Sequence, residues 1–117
     1  MKIKVSEATL LQLNYLVAKC EGWDSLRRNP HRFANFLIMS QDDENLRLED
    51  YTPSTDWAQG GPIIEREIAR LKDLGDEGWE ACGYGFTAIG PTPLIASMRC
   101  FIISKLGDDV DVPEDLK

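Results

Sequence analysis

The chain has 117 residues, of which 43% are hydrophobic, and a formal net charge of −7. This length is typical of one domain, and the apolar content is enough for a core without metals or disulfides. We expect no membrane span and no secretion, because no apolar run is long enough to cross a bilayer and residues 1–13 lack a signal-peptide block.

The first part of the chain predicts a strand followed by a helix. Residues 2–5 alternate in polarity, and Ser6 is a suitable N-cap for a helix that continues to Gly22. Five apolar side chains share one face of this helix: Leu10, Leu13, Leu16, Val17 and Cys20. Further on, residues 33–39 predict a short buried strand.

The middle of the chain predicts a long irregular connection and then a helix. Residues 40–61 form the connection, and the aromatic residues Tyr51 and Trp57 suggest that it is ordered. Pro62 favours a helix start at that position. Residues 63–75 fit either one longer helix or a short helix followed by a hairpin, and we favour the second.

The last part of the chain predicts a strand and a helix. Residues 79–86 look like a strand, and residues 90–93 break the chain before a helix with Thr92 as N-cap and Pro93 in its first turn. This helix should end at Lys105 or Leu106, before Gly107. The resulting class is α+β, a small, mostly antiparallel sheet with two to three packed helices. Residues 1–107 form the predicted domain, and residues 108–117 an acidic tail.

Candidate binding residues cluster around one stretch, residues 54–67, and the start of the last helix. We expect Trp57 to be an interface anchor, since a large rigid aromatic beside an exposed loop is often a binding hot spot. Gly60 and Gly61 could offer amides to an anion, although Asp56, Glu65 and Glu67 already supply negative charge there. The full candidate set is Ser54, Thr55, Asp56, Trp57, Gln59, Gly60, Gly61, Thr92 and Arg99.

Arg99 lies on a helix that is apolar nearly all round. Such a helix is buried on two sides, within the domain or against a second copy, so a homo-oligomer through the last helix is one expectation. A buried guanidinium needs a partner, and we predict a structural ion pair with Asp56, or otherwise with Glu65 or Glu67. The alternative is that Arg99 holds an anionic ligand together with the Gly60–Gly61 turn.

Other motifs give weaker indications. Residues 83–88 match G-x-G-x-x-A, but residues 90–91 interrupt the helix that a dinucleotide site requires. The three cysteines, the single histidine and the acidic residues 108–112 show no metal-ligand spacing, and no nucleophile has an evident base. We therefore predict no catalytic residues, no metal and no cofactor.

The charges are unevenly distributed along the chain. Residues 40–57 hold six acids against one basic residue, and residues 108–117 hold five against one. Most of the surface should therefore repel duplex DNA, and we do not expect nucleic acid as the partner. A candidate basic patch remains at Arg27, Arg28 and Arg32.

Four strings resemble a known family. VAKCEG (17–22), TPSTDWAQGGPIIERE (52–67), GPTPLIASMRC (90–100) and SKLGDDVDVP (104–113) are similar to the NinX-like family of small tailed-phage and prophage proteins, named after the nin region of lambdoid phages. The resemblance implies a phage or prophage protein made in the cytoplasm of the host bacterium. It implies an accessory role and leaves the molecular function open.

Three hypotheses follow. The first is a non-catalytic protein-binding module whose partner is a host or phage protein. The second is a small anionic-ligand-binding protein or enzyme that uses Arg99 and the Gly60–Gly61 turn. The third is a recombination or replication accessory factor with weak nucleic-acid contact.

Overall fold

Three small antiparallel sheets and three helices make up the computed structural model, which describes residues 1–27, 38–114 and 116. This confirms the predicted α+β class. The elements in chain order are β1 (Lys2–Lys4), α1 (Leu10–Cys20), β2 (Asp24–Arg27), β3 (Ile38–Gln41), β4 (Glu44–Arg47), α2 (Trp57–Glu67), β5 (Arg70–Asp73), β6 (Trp79–Gly83), β7 (Phe86–Gly90), α3 (Pro93–Leu106) and β8 (Asp109–Asp111).

The first helix starts later than its sequence suggests. Val5–Glu7 form a single 3-10 turn, and Thr9, not Ser6, is the N-cap of α1. The Thr9 hydroxyl accepts from the Gln12 amide at 3.2 Å, and the Gln12 side chain accepts from the Thr9 amide at 2.8 Å. This reciprocal capping box satisfies two N–H groups at the helix start and makes Thr9 the better cap.

Residues 40–61 are more regular than predicted. β3 and β4 form a hairpin, and Leu48–Asp50 add a 3-10 turn. Both residues of the hairpin loop, Asp42 and Asp43, have positive φ. Because neither is a glycine, the sequence did not indicate this turn. Of the strand predicted at residues 33–39, only Ile38 and Met39 belong to the described part, and both lie in β3.

The second helix begins at Trp57, so the predicted start at Pro62 is wrong. Asp56 is its N-cap, and Pro62 lies inside the helix. The short helix followed by a hairpin is confirmed, since β5 and β6 follow α2 directly. The prediction for α3 is confirmed in full: Thr92 caps it, Pro93 opens it, and Gly107 follows its last residue.

α3 lies at the centre of the domain. One side packs on β6 and β7 through a cluster of small side chains, Ala81, Ala88, Ala96 and Cys100. The other side belongs to the main core with α1 and α2. Small residues let the helix approach the sheet closely: a Cβ atom at Gly90 would lie 2.6 Å from the Ala96 nitrogen.

The segment predicted as an acidic tail contributes to the fold. β8 pairs with β1, with Val110 opposite Ile3. Val110, Val112 and Leu116 are buried, and the Gln12 side chain donates to the Leu116 carbonyl at 2.5 Å. Acidic residues alternate with valines here, so the acids face solvent while the valines enter the core.

Candidate functional site

The start of α2 is held by backbone turns and one capping side chain. The Asp56 amide donates to the Thr52 carbonyl at 2.8 Å, and the Asp56 carboxylate accepts from the Ala58 amide at 3.0 Å. Thr55, in the same turn, is exposed. A carboxylate at this position also faces the positive end of the helix dipole. The role of Asp56 in the fold is therefore to start the helix.

Side-chain hydrogen bonds fix the preceding loop. The Ser54 amide donates to the buried Asn14 side chain of α1 at 3.1 Å. The Gln59 side chain accepts from the Thr52 amide at 2.8 Å and donates to the Asp50 carbonyl at 3.1 Å. These bonds join residues 50–59 to one another and to α1, so the loop presents Trp57 in a defined position.

The two glycines of α2 have opposite environments. A Cβ atom at Gly60 would lie 2.3 Å from the Pro53 carbonyl oxygen and 2.6 Å from Leu94 Cδ2. At Gly61 the nearest such contact is the Trp57 ring, at 3.9 Å. Gly60 is thus the point where α2 meets the preceding loop and the start of α3, whereas Gly61 lies beneath the indole.

Trp57 is the centre of an exposed apolar surface. The residue is 55% exposed, although it belongs to the first turn of a helix. At helical spacing, Ala58, Gly61 and Pro62 fall on the same side, and none of them is buried. We call Trp57, Ala58, Gly61 and Pro62 the tryptophan face.

Pro62 adds a polar feature to this surface. Because proline has no N–H, the Ala58 carbonyl loses its usual donor four residues later in the helix. That oxygen belongs to the tryptophan face itself. The face therefore combines a large aromatic ring, small flat neighbours and a backbone acceptor.

Three acidic residues lie on α2 or in the loop bonded to it. Asp56 precedes Trp57, exposed Glu65 follows two turns later along the helix, and Asp50 accepts from Gln59 through its carbonyl. Arg47, on the neighbouring β4, pairs with both Glu49 and Asp50. We call Asp50, Asp56 and Glu65 the acidic rim of the tryptophan face; acids outnumber Arg47 among these neighbouring residues.

The predicted ion pair between Arg99 and a carboxylate of residues 56–67 is wrong. Arg99 Nη1 donates to the Ile89 carbonyl at 2.7 Å, and within the described residues no carboxylate lies at ion-pair distance from it. Asp56 caps α2, and Glu65 is exposed. Burial without an ionic partner lowers the pKa of the Arg99 guanidinium.

Arg99 and the two glycines belong to different surfaces. Arg99 lines a cleft with residues 75–78 and 89–91, and Gly60 and Gly61 do not line it. Gly60 donates its amide to the Asp56 carbonyl inside the helix. Thr92 accepts from the Ile95 amide at 3.1 Å as the cap of α3. Arg99 and the Gly60–Gly61 turn therefore do not line a common anion site in this structure.

The sequence suggested Glu67 only as a partner for Arg99, and its actual partners are different. Its side chain is only 8% exposed and lies 3.5 Å from both Arg66 Nε and Lys105 Nζ. The Tyr84 hydroxyl donates to it at 3.2 Å, and Lys105 lies 5.1 Å from the Tyr84 ring centroid. One carboxylate thus connects α2, α3 and the β6–β7 hairpin. Local sequence patterns could not predict this connection, because it depends on where the fold places Tyr84 relative to Glu67.

The basic patch and self-association through the last helix stay predictions. Arg28 and Arg32 lie outside the described residues, and of Arg27 only the backbone, in β2, is described. The apolar faces of α3 are covered by the sheet and by α1 and α2, which gives their composition an explanation within one chain. The described residues of α3 therefore leave no broad apolar face exposed that would support self-association through this helix.

Two other kinds of feature are absent from the described residues. No group of three or more histidine, cysteine, aspartate or glutamate side chains is placed to hold a metal ion within residues 1–27, 38–114 and 116. No helix in that part of the chain is long and apolar enough to cross a bilayer. The G-x-G string is the turn of the β6–β7 hairpin, with positive φ at Tyr84 and Gly85, so no helix follows it.

These features define a small α+β domain that presents an aromatic surface on the first turns of a short helix. A family model described as Bacteriophage P22, NinX matches residues 4–105, nearly the whole chain. The chain belongs to this NinX family and is a phage accessory protein. A search of curated proteins gave no match.

Proposed function

We propose that this chain is a non-catalytic protein-binding module that acts in the cytoplasm of the host bacterium and docks a host or phage protein on its tryptophan face. The observation that carries the proposal is the exposure of Trp57, 55%, on a helix start held by several hydrogen bonds. A rigid indole loses little conformational entropy on binding, and tryptophan is enriched among interface hot spots.

The surroundings of Trp57 support docking over simple solvent exposure. Ala58 and Gly61 are small, so a partner can cover the ring edge and the helix backbone together. The Ala58 carbonyl offers an acceptor to a donor on the partner, since Pro62 cannot donate to it. Such a combination of an apolar centre with one directional contact is typical of specific interfaces.

The acidic rim indicates the chemistry of the partner. Asp50, Asp56 and Glu65 would meet unfavourable charge on an acidic protein and on a nucleic acid. We therefore infer a protein with an apolar slot wide enough for an indole and with lysine or arginine residues around it. Charge complementarity of this kind mainly increases the association rate and the specificity.

The test begins with affinity capture from phage-infected host cells, using the wild-type protein and Trp57→Ala as paired baits. A protein captured only by the wild type is purified, and its Kd is measured by calorimetry. We expect Trp57→Ala to weaken binding by about thirtyfold or more, which corresponds to roughly 2 kcal/mol for a hot-spot residue. Raising the salt concentration should weaken binding further by screening the rim.

Leu106→Ala is the matched control. Leu106 is an apolar side chain of similar exposure, 47%, at the far end of α3. Its replacement should leave the Kd unchanged. A partner that binds the Trp57→Ala and wild-type proteins equally well would contradict the tryptophan face as the docking site.

A further inference from the structure

A cleft of about 450 Å³ lies on a different part of the domain from the tryptophan face. Residues 75–78, in the turn between β5 and β6, form one wall, and residues 89–91 with Arg99 form the other. Ile89, 50% exposed, and Pro91 contribute apolar surface. The cleft is open to solvent and large enough for a small molecule.

The backbone fixes the two walls relative to each other. A Cβ atom at Gly78 would lie 2.4 Å from the Gly90 carbonyl oxygen, so the turn and the end of β7 are in close contact. Gly78 has φ of 97°, a conformation that glycine adopts readily. Gly90 in turn approaches the Ala96 nitrogen of α3. The cleft is therefore preformed by close backbone contacts.

The Arg99 guanidinium is incompletely used in this cleft. Nη1 donates to the Ile89 carbonyl at 2.7 Å, but the buried Nε has no hydrogen-bond partner among the described residues. A guanidinium carries five N–H donors, and a buried donor without an acceptor is unfavourable. Besides Nη1, the guanidinium has the Nη2 donors to offer to a carboxylate in the cleft.

The opposite wall carries the opposite charge. Asp76 and Glu77 line the same cleft and are exposed, and no ion pair joins either of them to Arg99. A simple anion would be attracted by Arg99 and repelled by the two carboxylates. A simple cation would be attracted by the two carboxylates and repelled by Arg99. A ligand with both charges, separated by a few bonds, would satisfy both walls.

We propose that this cleft binds a small zwitterion, a free α-amino acid with an apolar side chain. Its carboxylate would accept hydrogen bonds from Arg99, its ammonium group would face Asp76 and Glu77, and its side chain would contact Ile89 and Pro91. This site is independent of the tryptophan face, so either proposal can fail without the other.

The experiment follows the Arg99 Nε–H signal by ¹H–¹⁵N NMR while L-leucine is added to the full chain. Two probes separate the charges: 4-methylpentanoate is leucine without the ammonium group, and 3-methylbutylamine is leucine without the carboxylate. We expect a saturable shift with L-leucine, about tenfold weaker binding of 4-methylpentanoate, and no shift of Nε–H with the amine.

Variants assign the contacts. Arg99→Gln should weaken L-leucine binding by about tenfold or more, whereas Arg70→Gln, an exposed arginine on β5, should leave it unchanged. The double variant Asp76→Asn, Glu77→Gln changes only exposed side chains and should remove the preference for L-leucine over 4-methylpentanoate. It keeps the test valid even if Arg99→Gln fails to fold.

Two results would overturn the proposal. The first is the lack of any saturable Nε–H shift up to about 10 mM L-leucine, an affinity too weak for a built site. The second is a double variant that keeps the wild-type preference for L-leucine over 4-methylpentanoate. That result would mean that Asp76 and Glu77 do not contact the ammonium group.

Discussion

Gly60 and Pro53 are in such close contact that a Cβ atom on the glycine would lie 2.3 Å from the proline carbonyl oxygen. The atom in the way belongs to the backbone, so it cannot move aside as a flexible side chain would. This contact sets the distance between α2 and the loop that precedes it. It also brings Leu94, in the first turn of α3, against the same point.

The first prediction compares neighbouring glycines. Gly60→Ala should destabilise the protein by about 1–3 kcal/mol through overpacking. Gly61→Ala should stabilise it by about 0.5–1 kcal/mol, because alanine favours the helix and its Cβ meets only the Trp57 ring at 3.9 Å. Urea unfolding of both variants gives the two free energies of unfolding. Equal effects of the two substitutions would contradict the packing described here.

The second prediction concerns Asp56. Because this carboxylate caps α2 and does not pair with Arg99, Asp56→Ala should cost about 1 kcal/mol, typical of a lost N-cap. A stranded buried arginine would cost more, about 3–5 kcal/mol. Asp56→Asn retains a capping oxygen and should be close to wild type. Thermal unfolding of the two variants separates these cases. A loss of about 3–5 kcal/mol in Asp56→Ala would indicate that Asp56 pairs with Arg99 after all.

The third prediction tests the role of Glu67 as a connector. Glu67→Ala should destabilise the protein by about 1 kcal/mol, because it removes the hydrogen bond from the Tyr84 hydroxyl and the ion pair with Lys105. The same change at Glu65, on the exposed side of α2, should lie within about 0.5 kcal/mol of wild type. Denaturant unfolding monitored by tryptophan fluorescence measures both. Similar values for the two variants would rule out the connecting role.

The fourth prediction is loss of stability at alkaline pH. Burial raises the pKa of the Cys20 thiol to about 12 and also raises the pKa values of Cys100 and Tyr51. These groups keep their protons in the folded state but lose them in the unfolded chain, so stability is full below the ordinary thiol pKa near 8.5 and falls above it. Each thiol can contribute up to about 1.4 kcal/mol per pH unit.

Unfolding in urea at a series of pH values from 7 to 10 measures that slope. Cys20→Ala should make it shallower, after correction for the cost of the smaller side chain at pH 7. Cys82→Ala is the control, since Cys82 lies on the outer side of its strand, with Arg70 and Thr87 at 3.5 Å. A slope that Cys20→Ala leaves unchanged would assign the alkaline transition to other groups.

Much of the fold could be predicted because local signals agreed with it. α3 combines an N-cap, a proline in its first turn and a following glycine, and each fixes a boundary independently. The start of α2 could not be predicted in the same way, because a proline within a helix looks locally like a proline at its first position. Starting the helix at Asp56 would have placed Trp57, Ala58, Gly61 and Pro62 on one side.

The candidate site was predictable in part. Trp57 was expected to be an exposed anchor, and the structure places it on the surface; its binding role stays a prediction. The partner of Arg99 was not predictable, because it is the backbone carbonyl of Ile89, which any residue at that position would supply. Charge counting considers side chains only and therefore misses a carbonyl that accepts from a cation.

The pairing of β1 with β8 means that this sheet can form only late in the synthesis of the protein. Lys2 is opposite Asp111, and the Met1 nitrogen donates to the Val112 carbonyl at 3.0 Å. On the ribosome the amino end of the domain emerges first, but the strand that completes its small sheet is made more than a hundred residues later. During synthesis the backbone groups of β1 therefore remain hydrated. They can pair with β8 only after residues 109–112 have left the exit tunnel.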